Sequence, residues 1–167
     1  SIAIGNTYLD DWNLNTIARS RAILPQHTSL NFDYLVEEVV ALGRAPYLGL
    51  QNEAVNSSHA IESVIERLEL NELRHRKYTT LSGGEQRRVQ LARVLAQINR
   101  PMNAKPLSPR YLLLDEPVSG LDLSQQHSFL STVREIADVS TAVIISMHDP
   151  NHAASYSDDL IPVSYTH

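Results

Sequence analysis

The sequence predicts an α/β fold with a parallel sheet core and an inserted helical section. Two short, continuous apolar runs, YLLLDEP and TAVIISMHD, are typical of buried parallel strands. The stretch between them, LSQQHSFLSTVREIAD, has the apolar spacing of a helix, so the three segments predict a βαβ crossover. A long run of helical periodicity, 34–73, precedes them and supplies the inserted section.

Composition excludes several classes of protein. The chain has 167 residues, of which 43% are hydrophobic, which suits one domain with a substantial core. Its net charge of −5 gives no basic field for nucleic acid. The absence of cysteine excludes disulfides, thiol catalysis and cysteine-zinc sites. No apolar run reaches the roughly 18 to 20 residues that span a bilayer, so we predict no membrane crossing.

The elements follow in order along the chain. SIAIGNTYL and SRAILPQ predict strands, so the first part is expected to be sheet with little helix. YLVEEVVALGRAPY predicts an amphipathic helix that ends at Gly43 and Pro46. NSSHAIESVIERLEL predicts a second helix with its cap at 56–58. A third helix is predicted over 84–98, and a proline-rich connector, NRPMNAKPLSPR, follows it.

An acidic pair ends the first apolar run. Two carboxylates in sequence, Asp115 and Glu116, are costly beside a buried strand unless they serve a function, and His148 ends the next run. Carboxyl ends of parallel strands are where ligands bind, and an aspartate there can hold Mg²⁺ while its neighbour activates water. Alternatively, Asp115 caps the following turn and His148 is a loop histidine. Taken alone, Gln26 in LPQ reads as a surface amide.

A serine and two glycines precede the third helix. Ser82, Gly83 and Gly84 at a helix start offer backbone N–H groups, a hydroxyl and the positive end of the helix dipole to an anion. The alternative is an ordinary serine N-cap followed by a helix whose arginines, Arg87, Arg88 and Arg93, form a solvated face.

Together these segments resemble one family. In order, LPQ, LSGGEQRR, LLLDEPVSGLD and ISMHD resemble the Q-loop, signature motif, Walker B with D-loop, and switch histidine of ATP-binding-cassette (ABC) ATPases, which have a P-loop NTPase fold. The segment RAILPQHTSLNFDYLVEEVVALGRAPY and the long connector are similar to the ATPase subunits of haem importers. Iron-siderophore and cobalamin importers are near relatives of that group.

The resemblance implies roles for single residues. Gln26 and Asp115 would hold Mg²⁺, Glu116 would be the catalytic base for water, and His148 would contact the γ-phosphate of ATP. The residues that would bind the nucleotide held by the opposite subunit are Ser82, Gly83, Gly84 and Glu85. Asp122 would connect the two sites across the dimer.

The resemblance also implies partners and a place in the cell. Such ATPases pair as homodimers with a second ATPase subunit and drive transmembrane permease subunits, served indirectly by a periplasmic binding protein. The section 34–73 would couple to the permease. The protein would lie peripherally on the cytoplasmic face of the bacterial inner membrane, with no nucleic acid as partner. We therefore expect one partial ABC ATPase domain over 1–167, with a helical subdomain over about 34–98.

One family motif is missing. The chain contains no G-x-x-x-x-G-K-[ST] loop, and neither of its lysines, Lys77 and Lys105, has the required preceding glycine. We interpret this as N-terminal truncation and expect the fragment to be inactive alone. Two alternatives stay open: a non-transport ABC ATPase of DNA repair or translation, and a binding module without catalysis. Sustained heptads, which chromosome-type members carry, do not occur between Gln26 and Ser82.

Overall fold

The structure is a computed structural model that describes residues 3–4, 7–8, 11–28, 30, 32–50, 53–99, 109–137 and 140–163. The predicted connector lies almost wholly outside these residues. The strands are β1 (Ala3–Ile4), β2 (Thr7–Tyr8), β3 (Arg21–Leu24), β4 (Arg110–Asp115) and β5 (Thr141–Ser146). The α-helices are α1 (Leu14–Ser20), α2 (Val36–Leu42), α3 (Glu53–Arg67), α4 (Gly83–Ile98), α5 (Leu123–Ile136) and α6 (Pro150–Tyr156). Short 3₁₀ turns lie at Ala45–Tyr47, Asn71–Leu73 and Tyr78–Thr80.

A parallel sheet carries the site. Its strand order is β3-β4-β5, and both neighbouring pairs run parallel, whereas β1 and β2 form a separate antiparallel pair. The register aligns Leu24 with Leu114 and Leu114 with Ile145. Because the three strands end within one residue of one another in register, the residues that follow them meet at one edge. The predicted βαβ unit, β4-α5-β5, is thereby confirmed as parallel.

The first part of the chain holds a helix that the sequence reading missed. Helix α1 begins after Asn13, whose side chain accepts a hydrogen bond from the backbone N–H of Asn15 at 2.9 Å. The helix buries little apolar surface, with Ile17 as its buried hydrophobic residue and Leu14 exposed. A helix with so short an apolar stripe gives a weak periodic signal, so the expectation of sheet with little helix was wrong here.

Helix α3 begins earlier than its predicted cap at 56–58. It starts at Glu53, so the Asn-Ser-Ser stretch lies inside the helix. Ser58 donates its hydroxyl hydrogen to the carbonyl of Ala54, and Ser57 accepts from Arg44. Hydroxyl groups that bond back to the preceding turn are tolerated inside helices, which is why these residues did not mark the start.

Helix α4 lies at the centre of the core. It packs against α2, α3 and β3, and its inward side chains include fully buried Val89 and Leu91. Gly43, at the end of α2, allows the closest approach, because a Cβ there would stand 2.1 Å from the backbone oxygen of Arg93. The interlocked helices fix α4 relative to the sheet, which matters for the site.

The sheet is buried on one face among the described residues. Ala22, Leu24, Leu112 and Leu114 pack into the core, whereas Ile144 on β5 is 63% exposed. The expectation that both apolar runs form buried strands is therefore wrong for one face of β5 in the described part of the chain. Within that part, no helix combines the length and apolar character needed to cross a membrane.

Candidate functional site

Four predicted site residues meet at the carboxyl edge of the sheet. Gln26 follows β3, Asp115 ends β4 with Glu116 next, and His148 follows β5. We call these four the edge cluster. The structure brings together residues that are up to 122 positions apart in sequence. The parallel strand assignment predicted the grouping of Asp115, Glu116 and His148, and the family resemblance added Gln26.

Glu116 is the hub of the edge cluster. The Gln26 Nε2 group donates a hydrogen bond to Glu116 Oε2 at 2.5 Å, and His148 Nε2 lies 2.5 Å from Glu116 Oε1. The Glu116 side chain is 21% exposed, whereas that of His148 is 84% exposed. Each oxygen of the Glu116 carboxylate therefore has a partner, Gln26 after β3 for one and His148 after β5 for the other. His148 is the partner on the solvent side.

The backbone of Glu116 is in an unusual conformation. Its φ is +42°, in the left-handed region that non-glycine residues rarely occupy. Its N–H donates to Ser146 Oγ at 2.9 Å, which helps to hold this conformation. Strained residues of this kind persist where surrounding contacts over-determine them, and they cluster at functional sites. The strain therefore marks Glu116 independently of its motif.

Ser146 also holds the other carboxylate. Its hydroxyl hydrogen is donated to Asp115 Oδ1 at 2.6 Å, so one side chain serves both acidic residues. Sequence reasoning missed Ser146, because its role depends on the register that pairs it with Asp115. The exposed Asp115 carboxylate, with the Gln26 amide nearby on the same edge, offers the oxygen ligands that Mg²⁺ prefers.

The predicted anion-binding residues form a helix cap. Glu85 N donates to Ser82 Oγ at 3.3 Å, and Ser82 N donates to Glu85 Oε2 at 2.7 Å, which is a reciprocal capping box at the start of α4. The hydrogen bond from the Ser82 backbone N–H, with that from its hydroxyl, lowers the pKa of Glu85. The N–H and hydroxyl of Ser82 thus have partners within the capping segment, 82–85, rather than standing free as the sequence reading assumed.

A cleft separates the capping segment from the start of α5. Asp122 caps α5 by accepting from Gln125 N at 2.9 Å. A Cβ on Gly84 would lie 2.8 Å from Gln125 Oε1, so a larger residue there would displace the end of the Gln125 side chain. The cleft between them has a volume of about 270 Å³ and is lined by Ser82, Gly84, Glu85, Arg88, Ser124 and Phe129 among others. None of the edge cluster lines this cleft, so the predicted site residues form two groups.

The arginines of α4 do not form the solvated face considered above. Arg87 is half-buried and donates from Nη2 to the backbone carbonyl of Gln26 at 2.7 Å. Arg93 donates to Gln90 Oε1 at 2.8 Å, and burial lowers the pKa of Arg93. Helical spacing placed them on the helix but could not show that sheet residues lie against it.

Comparison with known proteins decides the family. The ABC transporter family profile matches residues 1–119, most of the chain. The chain belongs to the ABC transporter family. This confirms the resemblance found in the four motifs and the α/β P-loop NTPase fold that it implied.

Several curated relatives of this ABC chain carry one name. It is 45% identical over 96% of its length to the Hemin import ATP-binding protein HmuV of Gloeobacter violaceus, and 42% identical over 91% to that of Aliivibrio fischeri. The protein of the same name from Shewanella denitrificans is 45% identical over 93% of the chain. The matches cover 57%, 55% and 59% of these relatives, so the chain spans little more than half of their length.

A solved structure agrees with the fold. The chain resembles an inward-facing conformation of a metal-chelate type ABC transporter with a TM-score of 0.67 and 28% identity. The match covers 83% of this chain and 53% of that chain. The parallel sheet and the helical section are thus arranged as in an ABC ATPase.

Proposed function

We propose that this chain acts in the ATP-hydrolysing subunit of an ABC importer, with haem as the cargo. The observation that carries the proposal is the edge cluster, in which Gln26 and His148 converge on a strained Glu116. Support for the cargo comes from the relatives named as hemin import proteins at 42% to 45% identity.

Glu116 is the proposed general base. One of its oxygens accepts from Gln26 and the other faces His148, so the carboxylate is oriented before substrate arrives. A water placed at this edge would lose its proton to the carboxylate as it attacks phosphorus. His148, exposed beside it, would contact the phosphoryl group that is transferred, while the strained backbone keeps the carboxylate at the strand end.

The edge cluster fits a magnesium ion. Asp115 and the amide oxygen of Gln26 are the proposed ligands, because hard oxygen donors suit Mg²⁺. When bound, Mg²⁺ supplies charge neutralisation to the phosphate oxygens. Ser146 fixes Asp115 by donating to Oδ1, which leaves the other carboxylate oxygen for the metal.

The capping segment and Asp122 are proposed to act across a dimer. Gly83 and Gly84 with Ser82 and Glu85 would meet the ATP held by a second copy of the subunit, and Asp122 would join the two sites. The family membership supports this pairing. The proposed domain plan has a helical subdomain over 34–98, whose part at 34–73 couples to a transmembrane permease. A periplasmic binding protein would act indirectly, and the ATPase would lie on the cytoplasmic face of the inner membrane.

A second cargo has its own support. The structural match to a metal-chelate type transporter favours an iron-siderophore or related chelate as the alternative to haem. Transport assays with the cognate permease separate the two, because uptake of labelled haem without uptake of a ferric siderophore supports the first cargo. The reverse result supports the second.

The catalytic proposal is tested by exchanging each carboxylate for its amide. The variants are made in a version of the chain preceded by a G-x-x-x-x-G-K-[ST] loop, which this sequence lacks. Glu116→Gln keeps the shape, so nucleotide affinity should stay near that of the parent while turnover falls roughly 10²- to 10⁴-fold. Asp115→Asn should instead weaken the apparent Mg²⁺ affinity, and added Mg²⁺ should restore part of the turnover.

Steady-state turnover and calorimetric nucleotide titration separate the two outcomes. Normal turnover in Glu116→Gln would remove Glu116 as the base. A Mg²⁺ dependence in Asp115→Asn that matches the parent would remove Asp115 as a metal ligand.

A further inference from the structure

Arg87 links helix α4 to the edge cluster by a hydrogen bond that no motif assigns. Its guanidinium Nη2 donates to the backbone carbonyl of Gln26 at 2.7 Å, across 61 residues of sequence. The next group along this path is the Gln26 amide, which donates to Glu116 Oε2. Gln26 thus accepts a hydrogen bond from α4 at its backbone carbonyl and donates one to Glu116 from its side chain.

The segment after β3 needs such a support. Pro25 has no backbone N–H to donate, and β3 ends at Leu24, so the sheet ladder does not extend to Gln26. In the described part of the chain, the two hydrogen bonds that involve side chains and Gln26 are those with Glu116 and Arg87. The Arg87 bond is therefore the side-chain tie between Gln26 and the helices.

Helix α4 makes this tie stiff. The helix is 16 residues long, packs against β3, α2 and α3, and is capped at its start by the Ser82–Glu85 box. An arginine in such a helix is anchored at its Cα, and its planar guanidinium needs little ordering to meet a carbonyl. A shift of α4 is then transmitted to the Gln26 carbonyl and from there to the Gln26 amide.

We propose that Arg87 is a positioning residue, which holds Gln26 on Glu116 and so couples the placement of α4 to the reactivity of the carboxylate. The inference rests on the proposed function, because the coupling matters only where Glu116 is the base. Arg87 touches neither the carboxylate nor the substrate, and it acts through the Gln26 segment.

The test compares Arg87→Met with Arg19→Met. Both arginines are half-buried and donate to a distant backbone carbonyl, Arg19 to that of Pro46 at 2.9 Å, but Arg19 has no contact with the edge cluster. In the version with a phosphate-binding loop, Arg87→Met should lower kcat roughly 10- to 100-fold, with KM for Mg-ATP within about twofold, since misplacing a catalytic group acts on the chemical step. Arg19→Met should stay within about twofold in both. Arg87→Lys keeps a donor and should restore kcat to within about fivefold of the parent.

A second measurement needs no turnover. In the 167-residue chain, the Gln26 carbonyl ¹³C signal and its side-chain amide signals should shift in Arg87→Met and stay in place in Arg19→Met. Unchanged Gln26 signals in Arg87→Met overturn the inference, as do equal kcat values in the two methionine variants or a change confined to KM. A parent that does not hydrolyse ATP refutes the proposed function instead, and the Gln26 signals still report whether the tie exists.

Discussion

The edge cluster and the capping segment each hold a glutamate carboxylate by hydrogen bonds, but the two are assembled in different ways. In the edge cluster, Gln26 reaches Glu116 across 90 residues, and the contact depends on the pairing of β3 with β4 in register. In the capping segment, Ser82 and Glu85 bond across three residues within one helix start. A local motif is stable wherever its helix forms, whereas a convergent one depends on the core beneath it.

A core substitution below the edge should break one region and spare the other. Leu114 is 2% exposed and directly precedes Asp115 in β4, so Leu114→Ala should lower the free energy of unfolding by about 2 to 5 kcal/mol. Ile144→Ala, on the exposed face of the neighbouring strand, is the matched control and should change it by no more than about 0.5 kcal/mol. Denaturant titration measures both.

Amide exchange then locates the damage in Leu114→Ala. Faster hydrogen exchange at the Glu116 N–H, with unchanged exchange at the Glu85 N–H, is the result expected if the edge cluster depends on the core and the capping segment does not. Equal acceleration at both amides would show that the two regions open as one unit.

Removing the cap should have a smaller and more local effect. Ser82→Ala deletes the acceptor of the Glu85 N–H and should cost about 1 kcal/mol, within the usual range of roughly 0.5 to 2 for N-cap serines. Ser131→Ala, an exposed serine inside α5, is the control and should be neutral or slightly stabilising. Loss of the Gln26 carbonyl and side-chain amide signals in Ser82→Ala would contradict the independence of the two regions.

The smallest effect is a pH dependence of the cap. Hydrogen bonds from Ser82 lower the folded-state pKa of Glu85 below its ordinary value of 4.5, so the carboxylate contributes stability above that value. This contribution is lost as the pH falls through the lowered pKa. Glu85→Gln keeps an acceptor for the Ser82 N–H and cannot titrate there.

The parent should therefore lose stability relative to Glu85→Gln as the pH is lowered from 7 to about 3, because only the parent loses a charged acceptor at this position. Unfolding midpoints along this series measure it, and the other carboxylates cancel in the difference. A difference that is independent of pH would show that the Ser82 bonds do not favour ionised Glu85.

The sequence by itself determined the serine cap of α4, the βαβ unit and the family. The start of α4 at Ser82 was predictable because a serine followed three residues later by glutamate supplies its own hydrogen bonds. The grouping of Asp115, Glu116 and His148 was predictable because continuous apolar runs indicate parallel strands whose ends meet. By contrast, α1 buries too little apolar surface to show a periodic pattern, and the position of α3 depended on contacts rather than on its Asn-Ser-Ser stretch.

Only the tertiary structure decided which side chains touch. The bond from Arg87 to the Gln26 carbonyl depends on the packing of α4 on β3. The register of β4 with β5 lets Ser146 donate to the Asp115 carboxylate and accept from the Glu116 backbone N–H, next to the left-handed backbone of Glu116. Helical and strand periodicities fix the face on which a side chain lies, since they are properties of one element. They do not fix the partner across an interface, because that depends on how two elements are set against each other by the whole core.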